Sequence, residues 1–244
     1  MCGLVLFSNI PKAFSEEPED TLAQAKARYS KYQNSAKDIT LFQQMDMTTP
    51  DGQVIQEAKW SRKGKKFRLD LKLDLSNMGT IPAGMAQAKS TIIFDGMTTW
   101  MVSAFTGKKE IPYPENQPYQ RESSFLEHLL QNGEGVREEM VGNYDCVVAE
   151  VKDEKDISYT LWIEKGTCNT IQIESEPLDS GKVSFWNSDF RKVKNDWEIP
   201  YKTEVYIDGK LVSTNTVKSV QTNLELPDAL FDPDKAVAQV LNAP

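Results

Sequence analysis

Apolar and polar positions along the chain change period twice. Leu22, Ala25, Tyr29 and Tyr32 recur at spacings of three and four behind Glu19 and Asp20, acidic residues that suit a helix N-terminus. This predicts an amphipathic first helix with a stripe that needs a surface to cover. From Asp38 the period becomes two. Ile39, Leu41, Met45 and Met47 alternate with polar neighbours, Phe42 and Gln43 interrupt them, and Asp51-Gly52 supplies a hairpin turn. Val54, Ala58 and Trp60 continue one face of the returning strand. The strictest alternation follows. Phe67, Leu69, Leu71, Leu73 and Leu75 face one way, and Arg68, Asp70, Lys72 and Asp74 the other, as in a sheet with one dry and one wet face.

Residues 76–88 hold Gly79, Pro82 and Gly84 among small residues and read as a loop. Strands resume at Thr91–Phe94 and Thr98–Phe105, joined at Asp95-Gly96. Pro112, Pro114 and Pro118 forbid regular pairing and make an extended connector. A second helix begins at Ser124, whose hydroxyl can form a capping box with Glu127, and ends at Asn132-Gly133; Phe125, Leu126, Leu129 and Leu130 form its apolar stripe. Beyond it the pattern predicts strands at Tyr144–Val151, Ile157–Ile163, Thr170–Ser175, Lys182–Trp186, Tyr201–Ile207 and Lys210–Val220. Lys165-Gly166, Ser180-Gly181 and Asp208-Gly209 turn an antiparallel meander. Pro227 and Pro233 frame the exit, and Lys235–Leu241 can form one or two last helical turns.

Composition narrows the partners. Among 244 residues, 39% are hydrophobic and 26% charged, a globular balance sufficient for a core. The net charge of -8 argues against a nucleic-acid backbone or an anionic bilayer as the main partner, since both reward clustered Lys and Arg. Short basic runs at Arg62–Lys66 and Arg191–Lys194 read as solvated strand ends or turns. No stretch approaches the ~20 apolar residues of a membrane-spanning helix. Near the N-terminus, the apolar run Cys2–Phe7 and the small residues Ala13 and Ser15 before Glu16 look like the back half of a signal peptide. A start codon upstream of Met1 would complete it, and a chance likeness would produce the same pattern. On the first alternative residues 1–15 leave, and residues 16–244 form one secreted domain. Cys146 and Cys168 then lie on strands separated by a third strand, roughly 10 Å apart at ordinary strand spacing, and free thiols are preferred to a disulfide.

Three motifs carry a family resemblance. Trp60, Arg62, Lys63 and Phe67 in "WSRKGKKF" resemble a strand-turn-strand motif of LolA-type lipoprotein carriers. "FDGMTTW" at Phe94–Trp100 resembles their Asp-Gly turn and aromatic strand, and the ending from Trp197 is similar to that of outer-membrane lipoprotein-sorting proteins. The resemblance covers nearly all of the mature chain. It implies a mainly β, α+β fold in which one curved antiparallel sheet forms a half-open β-barrel, with a few helices across its concave apolar face and acyl chains between sheet and helices. The lining it implies is Leu22, Tyr29, Leu41, Met45, Trp60, Phe67, Leu69, Leu71, Leu73, Phe94, Trp100, Val102, Phe125, Leu129, Leu161 and Ile163. Arg62 and Lys63 are the candidate lid latch. The carriers hold an arginine three residues after the tryptophan, where this chain has Lys63, which lacks the planar multidentate fork.

Periodicity alone leaves a close-packed core and a cavity both open. The function implied is a monomeric periplasmic carrier of lipoprotein acyl chains or another lipid, working with an inner-membrane exporter and an outer-membrane acceptor. The alternative is an envelope sensor or assembly factor that binds a protein partner without carrying lipid. Catalysis, a metal and a cofactor are not expected. The single histidine, His128, has no evident partner, and the sequence carries no nucleophile elbow, metal-ligand cluster or phosphate-cradling glycine loop.

Overall fold

A computed structural model of the chain describes residues 18–79, 81, 86–112, 129–130, 132–152, 157–176, 181–195 and 197–241. The possible signal segment, Phe125, the Ser124 cap and His128 lie outside the described residues. Among the described residues thirteen antiparallel strands form one sheet that does not close. They are β1 (Asp38–Thr49), β2 (Gly52–Lys63), β3 (Lys66–Met78), β4 (Gln87–Phe94), β5 (Thr99–Ser103), β6 (Gly107–Glu110), β7 (Glu134–Val141), β8 (Tyr144–Lys152), β9 (Ser158–Glu164), β10 (Thr170–Ser175), β11 (Val183–Lys194), β12 (Trp197–Ile207) and β13 (Lys210–Thr222).

The order is β6-β5-β4-β3-β2-β1-β13-β12-β11-β10-β9-β8-β7. The first and last strands therefore meet in the middle, and two arms of sequential hairpins run outward to the edges β6 and β7. At Phe42 and Gln43 a bulge shifts the β1–β13 register, with Lys218 of β13 as its extra residue, while β1 pairs without a break with β2 and keeps Gln43 on the face of Leu41 and Met45. Two turns show why their residues are needed. Asp208 and Gly209 both take positive φ, 49° and 76°, as a two-residue hairpin turn requires. At Gly52 a Cβ would stand 2.2 Å from the Asn77 carbonyl oxygen of β3, so only glycine lets the strands approach.

The helices cover opposite faces of the two arms. Helix α1 (Pro18–Ser35) lies on β7–β9, where Leu22 and Ala25 join Leu129, Leu130, Ala149, Val151, Leu161 and Ile163 in a closed core. Leu129 and Leu130 are helical, and Gly133 N donates to the Leu129 carbonyl at 2.9 Å, in keeping with a helix ending at Asn132-Gly133. Polar contacts tether α1 at several points: Lys26 donates to the Gly133 carbonyl at 3.4 Å, Arg28 pairs with Glu198 at 3.7 Å, and Lys194 donates to the Ser35 carbonyl at 3.0 Å. Helix α2 (Pro233–Leu241) lies on the other face, against β4–β6, with the 3-10 turn Asp228–Phe231 leading into it.

That second covering corrects the expectation of a wholly wet face opposite Leu69. Phe231 and Ala236 pack on Ile93 and Val102. Arg68 is buried, pairs with Asp70 at 2.8 Å and donates to the Leu230 carbonyl at 3.1 Å and to Gln239 at 2.8 Å. Further along β3, Lys72 meets Glu57 at 3.6 Å and both stay exposed to solvent. Two strands are unexpected and several run beyond their expected extent: β3 to Met78 and β4 from Gln87 shorten the expected 76–88 loop, and β12 begins at Trp197. The apolar pattern does not announce β6 and β7, since Lys108–Glu110 and Arg137–Glu139 are charged edge residues without alternating apolar positions. β11 continues through the charged Arg191–Lys194 run because it pairs with β12 along its length.

Cys146 is buried on β8, whereas Cys168, expected on a strand, lies in the β9–β10 turn with positive φ, and no disulfide joins the two. Burial first, then the nearby carboxylates of Glu164, Asp145 and Glu139, push the Cys146 thiol up to about 11.

Candidate functional site

The concave face of the β1–β4 arm carries a cavity of about 760 Å³. Register builds it. Leu41 of β1 pairs with Trp60 of β2, Trp60 with Leu69 of β3, and Leu69 with Ile92 of β4, so a row of apolar side chains crosses four strands on one face. A second row joins Gln43, Ala58 and Leu71, and a third joins Ile39, Arg62, Phe67 and Phe94. Stacked rows of this kind follow from strict period-two patterning in adjacent hairpins. The ring centroids of Trp60 and Phe67 are 5.8 Å apart and those of Phe67 and Phe94 6.0 Å, a spacing typical of favourable tilted aromatic pairs. Tyr29 closes one side from α1, and Trp197 adds an indole from the start of β12.

The lining is apolar with a polar fringe. Gln43 and Gln56 contribute amides, Arg62 and Lys65 contribute positive charge at the β2–β3 hairpin, and among the described residues no carboxylate lines the cavity. Ala58, Phe67 and Leu69 are buried, whereas Leu41, Met45, Trp60, Leu71 and Phe94 keep partial exposure. Half-exposed large apolar groups around an open concavity can shelter an apolar chain from water, at roughly 25 cal/mol for each Å² removed. The volume falls within the ~300–1,000 Å³ range of sites that take one small-molecule ligand. Among the described residues no group of three or more His, Cys, Asp or Glu is placed to hold a metal ion.

The residues expected to line the site do not all come together. Tyr29, Leu41, Met45, Trp60, Phe67, Leu69, Leu71 and Phe94 come together around the cavity, with Arg62 at its hairpin end. Leu73 shares their face, opposite Gln56 and Ala88, but lies past the lining. Leu22, Leu129, Leu161 and Ile163 are on the concave side but at the other arm, inside the closed core under α1. Phe125 is outside the described residues.

Trp100 and Val102 are not on this face. Phe94 pairs with Thr99 across the Asp95–Thr98 turn, which sends Trp100 and Val102 to the side of Ile93. There Val102 is fully buried against Phe231, and the Trp100 indole donates to Asp95 at 3.1 Å beneath the Lys108 ammonium, 4.4 Å from its ring. Burial would raise the Asp95 pKa, but the Thr98 and Met97 N–H groups and this indole hold it below its ordinary value.

Lys63 is not a latch on the concave side either. It faces the α2 side, donates to the Leu226 carbonyl at 2.7 Å and pairs with Asp228 at 3.1 Å, so it secures the C-terminal segment. Hydrogen bonding to Lys63, aided by its charge and that of Lys66, holds the Asp228 carboxyl below its usual value. The lining residues that sequence reasoning misses are Ile39, Gln43, Gln56, Ala58, Gly64, Lys65 and Trp197. Ile39 and Ala58 stand in the same period-two series as Leu41 and Trp60 and are accessible from it. Trp197 carries no local signal, since β12 reaches the cavity only through the three-dimensional curvature of the sheet.

Comparison with known proteins agrees with this architecture. No protein-family model matches the sequence, and no curated protein matches it. Among solved structures, a putative outer membrane lipoprotein-sorting protein domain from Vibrio parahaemolyticus is similar at 12% identity over 91% of this chain and 100% of that chain, with a TM-score of 0.64. A DUF1329 family protein from Desulfovibrio piger is similar at 13% identity over 88% of this chain and 98% of that chain, with a TM-score of 0.63. A LolA superfamily protein from Nitrosomonas europaea is similar at 13% identity over 88% of this chain and 98% of that chain, with a TM-score of 0.60. At these identities the likeness is one of fold, and the fold of this chain is LolA-like: one open, curved antiparallel sheet with few helices.

Proposed function

We propose that the protein is a periplasmic carrier that shelters acyl chains of a lipoprotein or another lipid in the concavity of the β1–β4 arm. The observation that carries this reading is the cavity of about 760 Å³ lined by Leu41, Met45, Trp60, Leu69, Leu71 and Phe94. A close-packed sheet face would leave no such space, because interiors pack to crystal-like density and empty volume costs stability. The LolA-like fold supports the same reading. No helix among the described residues is long and apolar enough to cross a membrane.

On this proposal the mature chain begins at Glu16 after export, works as a monomer, receives its cargo from an inner-membrane exporter and passes it to an outer-membrane acceptor. It is a binding protein and not an enzyme. The test is mass spectrometry of organic extracts from protein purified without detergent from its native host. A stoichiometric acyl species is expected. Repeated recovery of lipid-free protein, together with no uptake of added acyl chains, would leave a scaffold and remove the carrier.

A further inference from the structure

Among the described residues the charges that line the cavity are unevenly placed. The chain as a whole carries a net charge of -8, yet among the described residues the cavity lining holds two cations, Arg62 and Lys65, and no anion. Both cations sit at one end, beside the β2–β3 hairpin at Gly64, while Met45 and Gln56 line the other end. Arg62 pairs with Phe67 in the register, so its guanidinium leaves the sheet on the concave side, directly after the apolar row of Trp60 and Leu69. Such an arrangement has the polarity of an amphiphile: an apolar trough ending in positive charge.

Resting on the carrier reading, we propose that the occupant is an acyl amphiphile with an anionic head, its oxyanion held by Arg62 and Lys65 and its chain running along β1–β3 towards Met45. Length agrees with this. From Arg62 to Gln56, β2 spans six residue steps, or about 20 Å at ~3.3 Å per residue. Half of a ~30 Å bilayer core, the depth one acyl chain fills, is about 15 Å. One chain therefore lies lengthwise with its head at the hairpin. The guanidinium offers parallel donors that match a carboxylate or a phosphate, and the flexible Lys65 ammonium adds a second charge without fixing the head's identity. A head buried at the opposite end would meet Met45 and amide groups and would lose its water without gaining a counter-charge.

The experiment separates this inference from the carrier reading. A fluorescent acyl probe is displaced from the full chain by oleate, by oleoyl lysophosphatidylglycerol and by oleyl alcohol, all below their aggregation limits. The two anions share a chain with the alcohol and differ in the head. At low salt both anions are expected to compete about tenfold better than the alcohol, the size of one partly solvated charge-assisted hydrogen bond. In 0.5 M salt the advantage should shrink, because exposed charges are screened within a few Å. Arg62→Gln with Lys65→Gln should bring the ratio of anion to alcohol competition close to one, and Arg62→Lys should retain part of the preference.

Equal competition by all three ligands on the unaltered chain overturns the head-group assignment while leaving the carrier intact. A tenfold anion preference that survives in the folded double variant overturns the assignment to Arg62 and Lys65. Absence of displacement by any ligand, with no probe bound, overturns the carrier reading itself. If the double variant fails to fold, the salt dependence of the unaltered chain decides, and an anion preference insensitive to salt counts against the proposal.

Discussion

The concave face of the sheet uses one pattern at both ends and reaches two outcomes. At the β8–β9 end Leu161 and Ile163 are fully buried beneath α1, which seats Leu22 and Ala25 on them. At the β1–β3 end Leu41, Trp60 and Leu71 stand in comparable alternation, yet no helix among the described residues seals them and a cavity opens. The difference lies in coverage rather than in the strands. Alternation selects which residues face the concave side, and the position of α1 selects which of those become core. Tyr29 marks the boundary, since it packs against the covered core and also lines the cavity.

The largest expected effect comes from the covered end. Leu161→Ala should destabilise the protein by about 2–5 kcal/mol, the range for a leucine lost from a close-packed site, and should leave acyl-probe affinity unchanged. Leu71→Ala, made at a site that already borders open space, should cost well under about 2 kcal/mol and should shift probe affinity instead. Urea midpoints and probe titrations on the two variants give both quantities. Equal destabilisation at the two sites would erase the distinction between the ends.

Leu71→Glu sharpens the comparison on the binding side. A carboxylate facing an acyl chain has no partner there, so probe binding should be lost, while water in the vacant cavity keeps the charge solvated and the fold intact. A variant that unfolds on this substitution would mark Leu71 as core. Smaller again is the pH response of the β8 strand. The buried Cys146 thiol is raised to about 11 in the folded chain, from 9.0 as its ordinary value. The folded state then holds a proton that the unfolded state releases. This contribution is complete below pH 9 and should fall away between about pH 9 and 11, by on the order of 2 kcal/mol. Cys146→Ser should remove most of that slope in alkaline urea titrations, and an unchanged slope would show that the thiol is not held in its neutral form.

Much of this arrangement is legible in the amino-acid sequence. The helix seeded by Leu22, Ala25 and Tyr29, the hairpins at Asp51-Gly52 and Asp208-Gly209, and the alternation from Phe67 to Leu75 all occur where local periodicity and turn chemistry put them. Those signals are local, so tertiary contacts are not needed to read them. The placement of Trp100 and Val102 is not legible, because a period of two fixes alternation within a strand but not phase between strands. One residue in the Asp95–Thr98 turn decides the phase, and Phe94 opposite Thr99 sends Trp100 to the far side. A hint is present in the unbroken run Ile92-Ile93-Phe94, since consecutive apolar residues mark a strand buried on both faces. That run demands a covering element on the side of Ile93, and α2 supplies it through Phe231 and Ala236. The face of Lys63 follows from the period of two within β2, since alternation from Ala58 and Trp60 puts Arg62 on the cavity side and Lys63 on the other; its partners Leu226 and Asp228 are illegible because they are remote in sequence.

The central claim is that acyl chains enter the cavity at the β1–β4 end of the concave face and not the end closed by α1. A photoreactive fatty acid, bound at stoichiometric concentration, irradiated and mapped by peptide mass spectrometry, tests it directly. The account predicts adducts on peptides of β1–β4 containing Leu41, Trp60, Leu71 or Phe94, suppressed by excess oleate, with none on Leu161 or Ile163. Adducts concentrated on the β8–β9 peptides, or spread over the surface and indifferent to oleate, would contradict it.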